Sequence, residues 1–399
     1  MFILKKIGCR IFQMAFRAAL PILPYREQKI VSSCDELPAV LIKEKTDTVL
    51  IVTDAGIVKN GLLIHLENAL SKNNIKYVTY DKTQPNPTVS NVEDALNIYK
   101  ENGCNTIIAI GGGSAMDCAK GVGARVAHPK KTLNKMGGVM KVLRRIPTFI
   151  AIPTTAGTGS ETTLAAVITD DKTHHKYAIM SFPLIPHYAV LDAKLTYSLP
   201  PHLTSTTGMD ALTHAVEAYI GRSTTKKTRR LALEATKLIF ENVETAYKSG
   251  QNHKARENML HAAYKAGISF SMSYVGYIHA IAHSVGGKYG TPHGLANAVI
   301  MPYVLEEYGA GAYKKLHQLG IAAGVSGVDD SPEIGAKKFI DAIKNLNAKM
   351  NIPCNISGIN KSHIPEMAKN AEKEANPLYP VPKLMTKKEL ETIYHKFSN

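Results

Sequence analysis

A change in hydrophobic periodicity near residues 195–201 divides the chain into two kinds of sequence. Before it, short apolar runs such as Thr48–Asp54 and Asn105–Ile110 alternate with stretches of helical spacing. Strands that alternate with helices form parallel sheets, and a strand buried on both faces reads as a continuous apolar run. After it, the apolar residues recur at helical spacing. We therefore predict an α/β domain over residues 1–198 and an all-helical domain over residues 199–399.

The apolar runs also predict the individual strands of the first domain. We predict strands at Thr48–Asp54, Lys76–Tyr80, Asn105–Ile110, Thr148–Pro153, Ala166–Thr169 and Tyr188–Leu191. An irregular stretch through Lys176 is expected to join the last two. At 399 residues the chain is long enough for each domain to bury a core of its own.

Residues 1–45 form an N-terminal extension whose first part is basic and apolar. Arg17 interrupts its best apolar run, so the segment is too charged to span a membrane, and no signal-peptide cleavage site is visible. We predict a helix that packs on the body of the protein or on a partner subunit, with an interfacial amphipathic helix as the alternative. The five cysteines are widely spaced without a Cys-x-x-Cys motif, which favours reduced thiols and a cytoplasmic location.

The formal net charge of +15 raises the question of an anionic partner. Basic residues cluster at the N-terminus, over residues 130–145 and over residues 222–230. No helix-turn-helix, zinc-finger or RNA-binding pattern accompanies these clusters. We interpret them as solvated faces, one of which can attract an anionic ligand, and we predict no nucleic-acid partner.

A glycine-rich stretch, Gly111–Ser114, follows a predicted strand and precedes a helical pattern. Glycines let a backbone approach closely, and the N–H groups at a helix N-terminus attract an anion such as a pyrophosphate. The G-x-G-x-x-G and Walker patterns are absent, so a tight strand–helix turn is the alternative. Asp54, at the end of an earlier strand, can accept a hydrogen bond from a ribose hydroxyl, which favours NAD over NADP. The hydroxyl-rich loop Thr154–Glu161 either binds a cofactor or forms a polar turn.

Five residues with metal-ligand chemistry occur at helical spacing in the second domain. Asp210 and His214 lie four residues apart, as do His279 and His283, and His293 follows on a turn flanked by Gly and Pro. Residues four apart on a helix share a face. One carboxylate with several imidazoles suits Fe²⁺ or Zn²⁺ better than Mg²⁺ or Ca²⁺. Spacing alone leaves open which four of the five bind.

Four motifs occur in one order along the chain and span most of it from about Asp54 onward. They are Gly111–Lys120 (GGGSAMDCAK), Pro153–Glu161 (PTTAGTGSE), Gly208–Tyr219 (GMDALTHAVEAY) and His279–Asn297 (HAIAHSVGGKYGTPHGLAN). Together they resemble the iron-containing (group III) alcohol dehydrogenases. The resemblance implies a Rossmann-like dinucleotide-binding α/β domain, a helical metal-binding domain, the architecture shared with dehydroquinate synthases, and an active site in the cleft between the domains.

The resemblance also implies which residues form each site. The family's metal ligands correspond to Asp210, His214, His279 and His293, and His283 corresponds to a histidine near the substrate and the nicotinamide. The cofactor positions correspond to Asp54, Asn86, Gly112, Gly113, Ser114, Asp117, Thr154, Thr155, Thr158, Thr163, Lys176 and Leu195. The chain departs from the family in its longer N-terminal extension and in Ala165, where some relatives have Asn near the nicotinamide ribose.

The resemblance predicts a metal-dependent alcohol dehydrogenase or aldehyde reductase. A hydride would pass between a small alcohol or aldehyde and NAD, less readily NADP, while Fe²⁺, Zn²⁺ or another divalent metal polarises the substrate oxygen. We predict that His283 relays the proton to solvent, and that the chain forms a homodimer or a higher homo-oligomer. The alternatives are a dehydroquinate synthase-like lyase, a hydroxyacid–oxoacid transhydrogenase and a non-enzymatic metal- or nucleotide-binding module.

Overall fold

A computed structural model describes residues 2–398, which form two compact units. One unit spans Pro24–Ser198, and the other combines the segment ending at Leu23 with the chain from Leu199 onward. The N-terminal segment therefore belongs to the helical unit, whereas the sequence prediction had assigned it to the α/β domain. The second half of the predicted extension belongs to the α/β unit, because Lys29–Val31 forms a strand there.

The first helix, α1 (Phe2–Ala19), packs on the body of the helical unit. Its inward face carries Arg10, which donates to Val381 O at 2.7 Å, and the buried Gln13, which donates to Tyr379 O at 2.8 Å. Ser223 Oγ in turn donates to Gln13 O at 3.1 Å. These polar contacts explain why α1 belongs to the helical unit, because side chains of α1 donate hydrogen bonds to backbone carbonyls of a C-terminal loop.

We expect Gln13→Ala to lower the free energy of unfolding by about 1–3 kcal/mol, because two buried carbonyls lose a donor. The Gln13 amide donates to Pro377 O at 3.2 Å and to Tyr379 O at 2.8 Å. Urea unfolding of the purified chain measures the effect. Met14→Ala is the matched control, since Met14 lies on the same helix with 62% of its surface exposed. An equal loss in both variants would contradict this packing of α1.

The α/β unit contains nine strands and six α-helices in its described residues. The strands are β1 (Lys29–Val31), β2 (Thr48–Val52), β3 (Lys76–Tyr80), β4 (Thr106–Gly111), β5 (Gly138–Val139), β6 (Thr148–Pro153), β7 (Ala165–Thr169), β8 (Lys176–Met180) and β9 (Tyr188–Val190). The helices are α2 (Leu37–Lys43), α3 (Ala55–Lys59), α4 (Ile64–Lys72), α5 (Val89–Glu101), α6 (Gly113–Ala127) and α7 (Leu133–Met136).

Six strands form an entirely parallel sheet in the order β1-β9-β6-β4-β2-β3, which confirms the predicted fold class. Side chains alternate between two apolar cores: Leu50 and Val52 lie in one, and Val49 and Ile51 lie in the other. Because both faces of the sheet are covered, apolar residues occupy consecutive positions after the first threonine of β2, β4 and β6, and these strands therefore appear in the sequence as continuous apolar runs. The carboxyl ends of β2, β4 and β6 meet at one edge.

A second sheet has the order β5-β8-β7. β8 begins at Lys176 and pairs antiparallel with β7, with Lys176 opposite Thr169. The prediction of an irregular connection through Lys176 is therefore wrong. Its sequence, Lys-Tyr-Ala-Ile-Met, is short and partly exposed, so it shows neither a clear strand periodicity nor a clear helix periodicity. The segment forms a strand because β7 provides its hydrogen-bonding partner.

The helical unit contains nine α-helices after residue 198 in the described chain. They are α8 (Pro201–Ile220), α9 (Lys226–Lys248), α10 (His253–Ser273), α11 (Tyr277–Tyr289), α12 (His293–Tyr308), α13 (Tyr313–Ala322), α14 (Pro332–Lys349), α15 (Ile364–Ala375) and α16 (Lys387–Phe397). Capping boxes start two of them, with Thr225 before α9 and Thr386 before α16. In the part of the chain that is described, no helix is both long enough and apolar enough to cross a bilayer.

Candidate metal centre and nucleotide loop

Three helices of the helical unit bring the predicted metal ligands together. Asp210 and His214 lie on one face of α8, and His279 lies in the first turn of α11. His293 is the first residue of α12, directly after Pro292, and not part of the turn that the sequence predicted. Proline before or at the first helical position suits a helix start, because the first N–H groups have no partner within the helix.

Asp210, His279 and His293 present three potential ligand atoms within 4.8 Å of one another. Asp210 Oδ1 lies 3.5 Å from His293 Nε2 and 4.0 Å from His279 Nε2. Asp210 is only 2% exposed, and no lysine or arginine among the described side chains forms an ion pair with it. A buried carboxylate without a cationic side chain calls for another positive charge, so this donor set fits a divalent metal.

His214 lies beside this cluster but is not one of the three clustered donors. Its ring stacks on His279 with centroids 4.6 Å apart, and on Phe270 with centroids 4.1 Å apart. The side chain is buried. The described geometry therefore brings three of the four predicted ligands into one set and leaves His214 stacked against its edge.

A buried carboxylate, Glu217, orients His279. Glu217 Oε2 lies 2.6 Å from His279 Nδ1, and the two carboxylate oxygens also accept the N–H groups of Gly276 and Ile278 at 2.8 and 2.7 Å. Burial raises the pKa of the Glu217 carboxyl, and these hydrogen bonds oppose that rise by stabilising its charged form. With the His279 proton held on Nδ1, the Nε2 lone pair is directed at the cluster.

Asn297, one turn along α12 from His293, contacts all three clustered donors. Its Nδ2 donates to Asp210 Oδ1 at 2.7 Å and lies 3.1 Å from His293 Nε2 and 3.3 Å from His279 Nε2. Its Oδ1 is buried and has no hydrogen-bond partner in the described chain. The amide nitrogen thus faces three potential metal-ligand atoms, and the amide oxygen beside it has no hydrogen-bond partner. This indicates a polar centre that side chains alone do not complete.

His283 lies at the exposed side of the cluster. Its side chain is 46% exposed, and its ring stacks on His293 with centroids 5.2 Å apart. His283 Nδ1 lies 2.7 Å from Glu374 Oε1, which also accepts from Tyr379 Oη at 2.8 Å. The carboxylate on α15 therefore fixes the orientation of the ring and leaves Nε2 available for another partner.

In the α/β unit, the predicted phosphate loop follows β4 and begins α6. Gly111 has φ +148°, and a Cβ there would lie 3.0 Å from Ala115 Cβ, so the turn requires glycine. Thr154 N donates to Gly111 O at 3.0 Å, which joins the ends of β6 and β4. Gly112, Gly113 and Ser114 are partly exposed at the start of α6, where a helix presents unpaired N–H groups.

Other predicted cofactor residues surround this loop. Asp54 caps α3, with Oδ1 accepting from Gly56 N and Ile57 N, while its Oδ2 faces the Gly111 turn. Asn86 N donates to Ser114 Oγ at 3.4 Å, and Lys176 Nζ donates to Asn86 Oδ1 at 2.7 Å. The structure thus brings together residues from three separate segments that the resemblance had grouped.

The remaining predicted cofactor residues fall into three groups. Thr155 and Thr158 are partly exposed, and Thr158 contacts the Gly113 position. Asp117 and Thr163 already use their polar atoms inside the protein. Leu195 is 2% exposed and its side chain packs in the apolar core, which leaves only its backbone for the predicted cofactor contact. Leucine at this position completes the packing against the sheet.

Sequence reasoning missed four buried or half-buried residues that organise these sites. They are Glu217, Asn297, Glu374 and Lys120. Glu217 had a usable signal, because Asp210, His214 and Glu217 continue one helical face at spacings of four and three. Glu374 had none, since α15 meets α11 only in the folded chain.

Two family models match the chain and together cover most of it. The model described as iron-containing alcohol dehydrogenase matches residues 30–193, and the model for the C-terminal part of the Fe-containing alcohol dehydrogenase family matches residues 204–398. The segment that contains α1 precedes the first match.

The chain is also similar to individual members of that family. It is 36% identical to the 1,3-propanediol dehydrogenase of Citrobacter freundii over 351 residues, covering 87% of this chain and 90% of that protein. It is 36% identical to the NAD-dependent methanol dehydrogenase of Bacillus methanolicus over 326 residues, covering 81% and 85%. A crystal structure of 1,3-propanediol oxidoreductase superposes with a TM-score of 0.88 at 33% identity, covering 92% of this chain and 97% of that chain. The chain belongs to the iron-containing alcohol dehydrogenase family and is a metal-dependent alcohol dehydrogenase.

Proposed function

We propose that Asp210, His214, His279 and His293 bind one divalent metal, Fe²⁺ or Zn²⁺, and that the enzyme uses NAD(H) to interconvert a small alcohol and its aldehyde. The observation that carries this proposal is the cluster of three donors from α8, α11 and α12 within 4.8 Å. His214 is the fourth ligand of the proposal, supported by its stacking on His279. A carboxylate and imidazoles form a typical donor set for borderline divalent metals.

NAD(H) is proposed as the redox partner because the chain offers a pyrophosphate cradle and an acidic residue beside it. Gly112, Gly113 and Ser114 present N–H groups at the start of α6, and Asp54 Oδ2 faces the same turn. An acidic group at a strand end accepts from a ribose hydroxyl and repels a 2′-phosphate, which favours NAD over NADP. The similarity to an NAD-dependent methanol dehydrogenase supports the same choice.

The chain's own residues would prepare and complete the reaction. When bound, the metal would supply Lewis acidity toward the substrate oxygen and the nicotinamide would supply or accept the hydride. Glu217 keeps the proton of His279 on Nδ1, and Asn297 holds Asp210 Oδ1 in place. His283, anchored through Nδ1 by Glu374, is proposed to pass the hydroxyl proton between the substrate and solvent through Nε2.

We expect His283→Ala to lower kcat by about 10²-fold, a typical loss for a positioned proton-transfer group. Metal content should stay at the wild-type level, because His283 Nδ1 is paired with Glu374 and His283 lies outside the donor cluster. Steady-state kinetics over a range of pH, with metal analysis of the same samples, measures both. Glu374→Gln should give a smaller loss in the same direction. An unchanged kcat and pH profile in His283→Ala would refute the relay.

The decisive test of the proposed function combines metal analysis with a panel of small alcohols and aldehydes, each assayed with NADH and with NADPH or their oxidised forms. Small primary alcohols, diols and their aldehydes form the panel, because relatives include enzymes named for 1,3-propanediol and methanol. We expect bound transition metal and faster turnover with NAD(H). A well-folded, metal-loaded chain that turns over no member of the panel with either nucleotide would contradict the proposal.

We further propose a reducing compartment such as the cytoplasm and a homo-oligomeric state. All five cysteines are free thiols, as expected under reducing conditions. The strand β1 is an edge of the six-stranded sheet, and its Ile30 is 47% exposed, which favours cover by another chain. Light scattering of the purified protein tests the oligomeric state, and a monomer at micromolar concentration would contradict it.

A further inference from the structure

A fully buried lysine lies beneath the hydroxyl-rich loop of the α/β unit. Lys120, on α6, is 0% exposed. Its Nζ donates to Thr163 Oγ1 at 2.7 Å, to Ser160 O at 2.8 Å and Oγ at 3.0 Å, and to Ala165 O at 2.9 Å. An ammonium has three N–H groups, so all of them are used by one short segment that runs from Ser160 to the first residue of β7, Ala165.

Asp117, one turn earlier on α6, binds the same segment at Ser160 and also binds the strand β7 that follows it. Its Oδ1 accepts from Ser160 Oγ at 3.2 Å, and its Oδ2 accepts from Val167 N at 3.1 Å. Both oxygens are therefore engaged inside the protein. Burial raises the pKa of Asp117 to about 6 and lowers that of Lys120 to about 8, and the attraction between the two opposes both shifts. Each charge offsets part of the cost of burying the other.

The segment that this pair holds also contacts the phosphate loop. Thr158 lies two residues before Ser160, and its side chain is 3.4 Å from the position of a Cβ on Gly113. Thr158 Oγ1 accepts from Ser160 N at 3.3 Å. The N-terminus of α6 thus bears Gly113, while the next two turns bear Asp117 and Lys120, which fix the loop that packs on it. One helix sets the positions of both walls of the nucleotide site.

We propose that Lys120 and Asp117 are positioning residues of the nucleotide site, which hold the loop Thr154–Thr163 at the distance from Gly112–Ser114 that a dinucleotide requires. This inference rests on the proposed use of NAD(H). It reassigns Asp117 and Thr163, which the sequence had suggested as direct contacts, to an indirect role. Burying an ammonium is costly unless each of its N–H groups has an acceptor. The acceptors of Lys120 must therefore stay in place around Nζ, and this requirement restricts the loop to one geometry.

The test compares Lys120→Met with Lys315→Met in the full chain. Lys315 is a matched control, because it is also a lysine whose pKa burial lowers to about 8, and its Nζ donates to the carbonyls of Ile220 and Gly221 in the helical unit. Binding of NADH is followed by fluorescence titration, and metal content and thermal unfolding are measured on the same samples. We expect the Kd for NADH to rise by about tenfold or more in Lys120→Met, the equivalent of one lost charge-assisted hydrogen bond.

Lys315→Met should lower Tm and leave the Kd for NADH within about twofold of the wild type, because Lys315 contacts carbonyls of the helical unit and not the hydroxyl-rich loop. A tenfold rise in Kd corresponds to a loss of about 1.4 kcal/mol in binding free energy. If Lys120→Met does not fold, Thr163→Val removes one partner of the ammonium and should weaken NADH binding in the same direction. Wild-type NADH affinity in a folded variant of either kind would overturn the proposal.

Hydrogen exchange separates failure of this inference from failure of the proposed function. If the wild-type chain binds neither NADH nor NADPH, the proposed cofactor is wrong, and Lys120 is then judged by amide exchange alone. Faster exchange across Thr158–Val167 in Lys120→Met, with α8 and α11 unchanged, supports the positioning role. Unchanged exchange across Thr158–Val167 would overturn it.

Discussion

Replacing His279 with alanine is expected to strip the purified protein of its divalent metal and to lower kcat/KM by at least about 10³-fold, since Lewis-acid stabilisation of an alkoxide amounts to several kcal/mol. His279 is 3% exposed, and its Nε2 faces both Asp210 and Asn297. Alanine removes one proposed ligand and leaves the Glu217 carboxylate without its imidazole partner. Metal analysis after gel filtration, with steady-state kinetics on the same samples, measures both losses.

His317→Ala is the control for the general cost of removing a buried histidine from the helical unit. His317 is 8% exposed, and its Nε2 lies 2.7 Å from Gly327 O, outside the donor cluster. This variant should lose stability and keep its metal. A folded His279→Ala protein with full metal content would show that His279 is not a ligand, and the proposed centre would have to be rebuilt from other residues.

Glu217→Gln is expected to weaken metal binding by about 10–100-fold, the usual consequence of removing the group that orients a ligating histidine. The carboxylate accepts from Gly276 N, Ile278 N and His279 Nδ1 at once. A glutamine has one oxygen in place of two, so at least one buried donor loses its acceptor, at a cost of about 1–3 kcal/mol in the free energy of unfolding. Competition with a metal chelator and urea unfolding measure the two effects.

Glu389→Gln provides the matched comparison, because Glu389 also accepts a backbone N–H, from Thr386 at 2.7 Å, in the capping box of α16. It should lose some stability and retain the wild-type metal affinity. If both variants lose stability to the same extent and neither loses metal affinity, Glu217 supports the fold alone. Rescue of metal binding in Glu217→Gln by excess metal would favour the orienting role over misfolding.

The sequence was sufficient to predict those features that depend only on residues close together in the chain. The parallel sheet could be predicted because β2, β4 and β6 are buried on both faces, which forces unbroken apolar runs. The glycine turn after β4 could be predicted because Gly111 adopts a conformation that other residues rarely adopt. The i, i+4 spacing of Asp210 and His214 predicted a shared helix face, since helix geometry alone determines it.

The arrangement of partners depended on contacts between segments far apart in the chain. Glu374 reaches His283 across 91 residues, and Lys120 reaches Ala165 across 45. The assignment of α1 to the helical unit follows from carbonyls more than 360 residues away. The hydrophobic pattern of the sequence does not predict such pairs, because the residues that flank each partner are not unusual. The two partners lose their water only when the fold brings them together.

The amino-acid sequence by itself determined the fold class, the two-part organisation and the family. Local hydrophobic periodicity predicts the first two, and short motifs identify the third. Tertiary structure alone decided which side chains orient the predicted metal ligands, which hold the hydroxyl-rich loop and where the N-terminal helix packs. The physical reason is that hydrogen bonds between buried groups gain their importance from desolvation, and desolvation is a property of the packed chain.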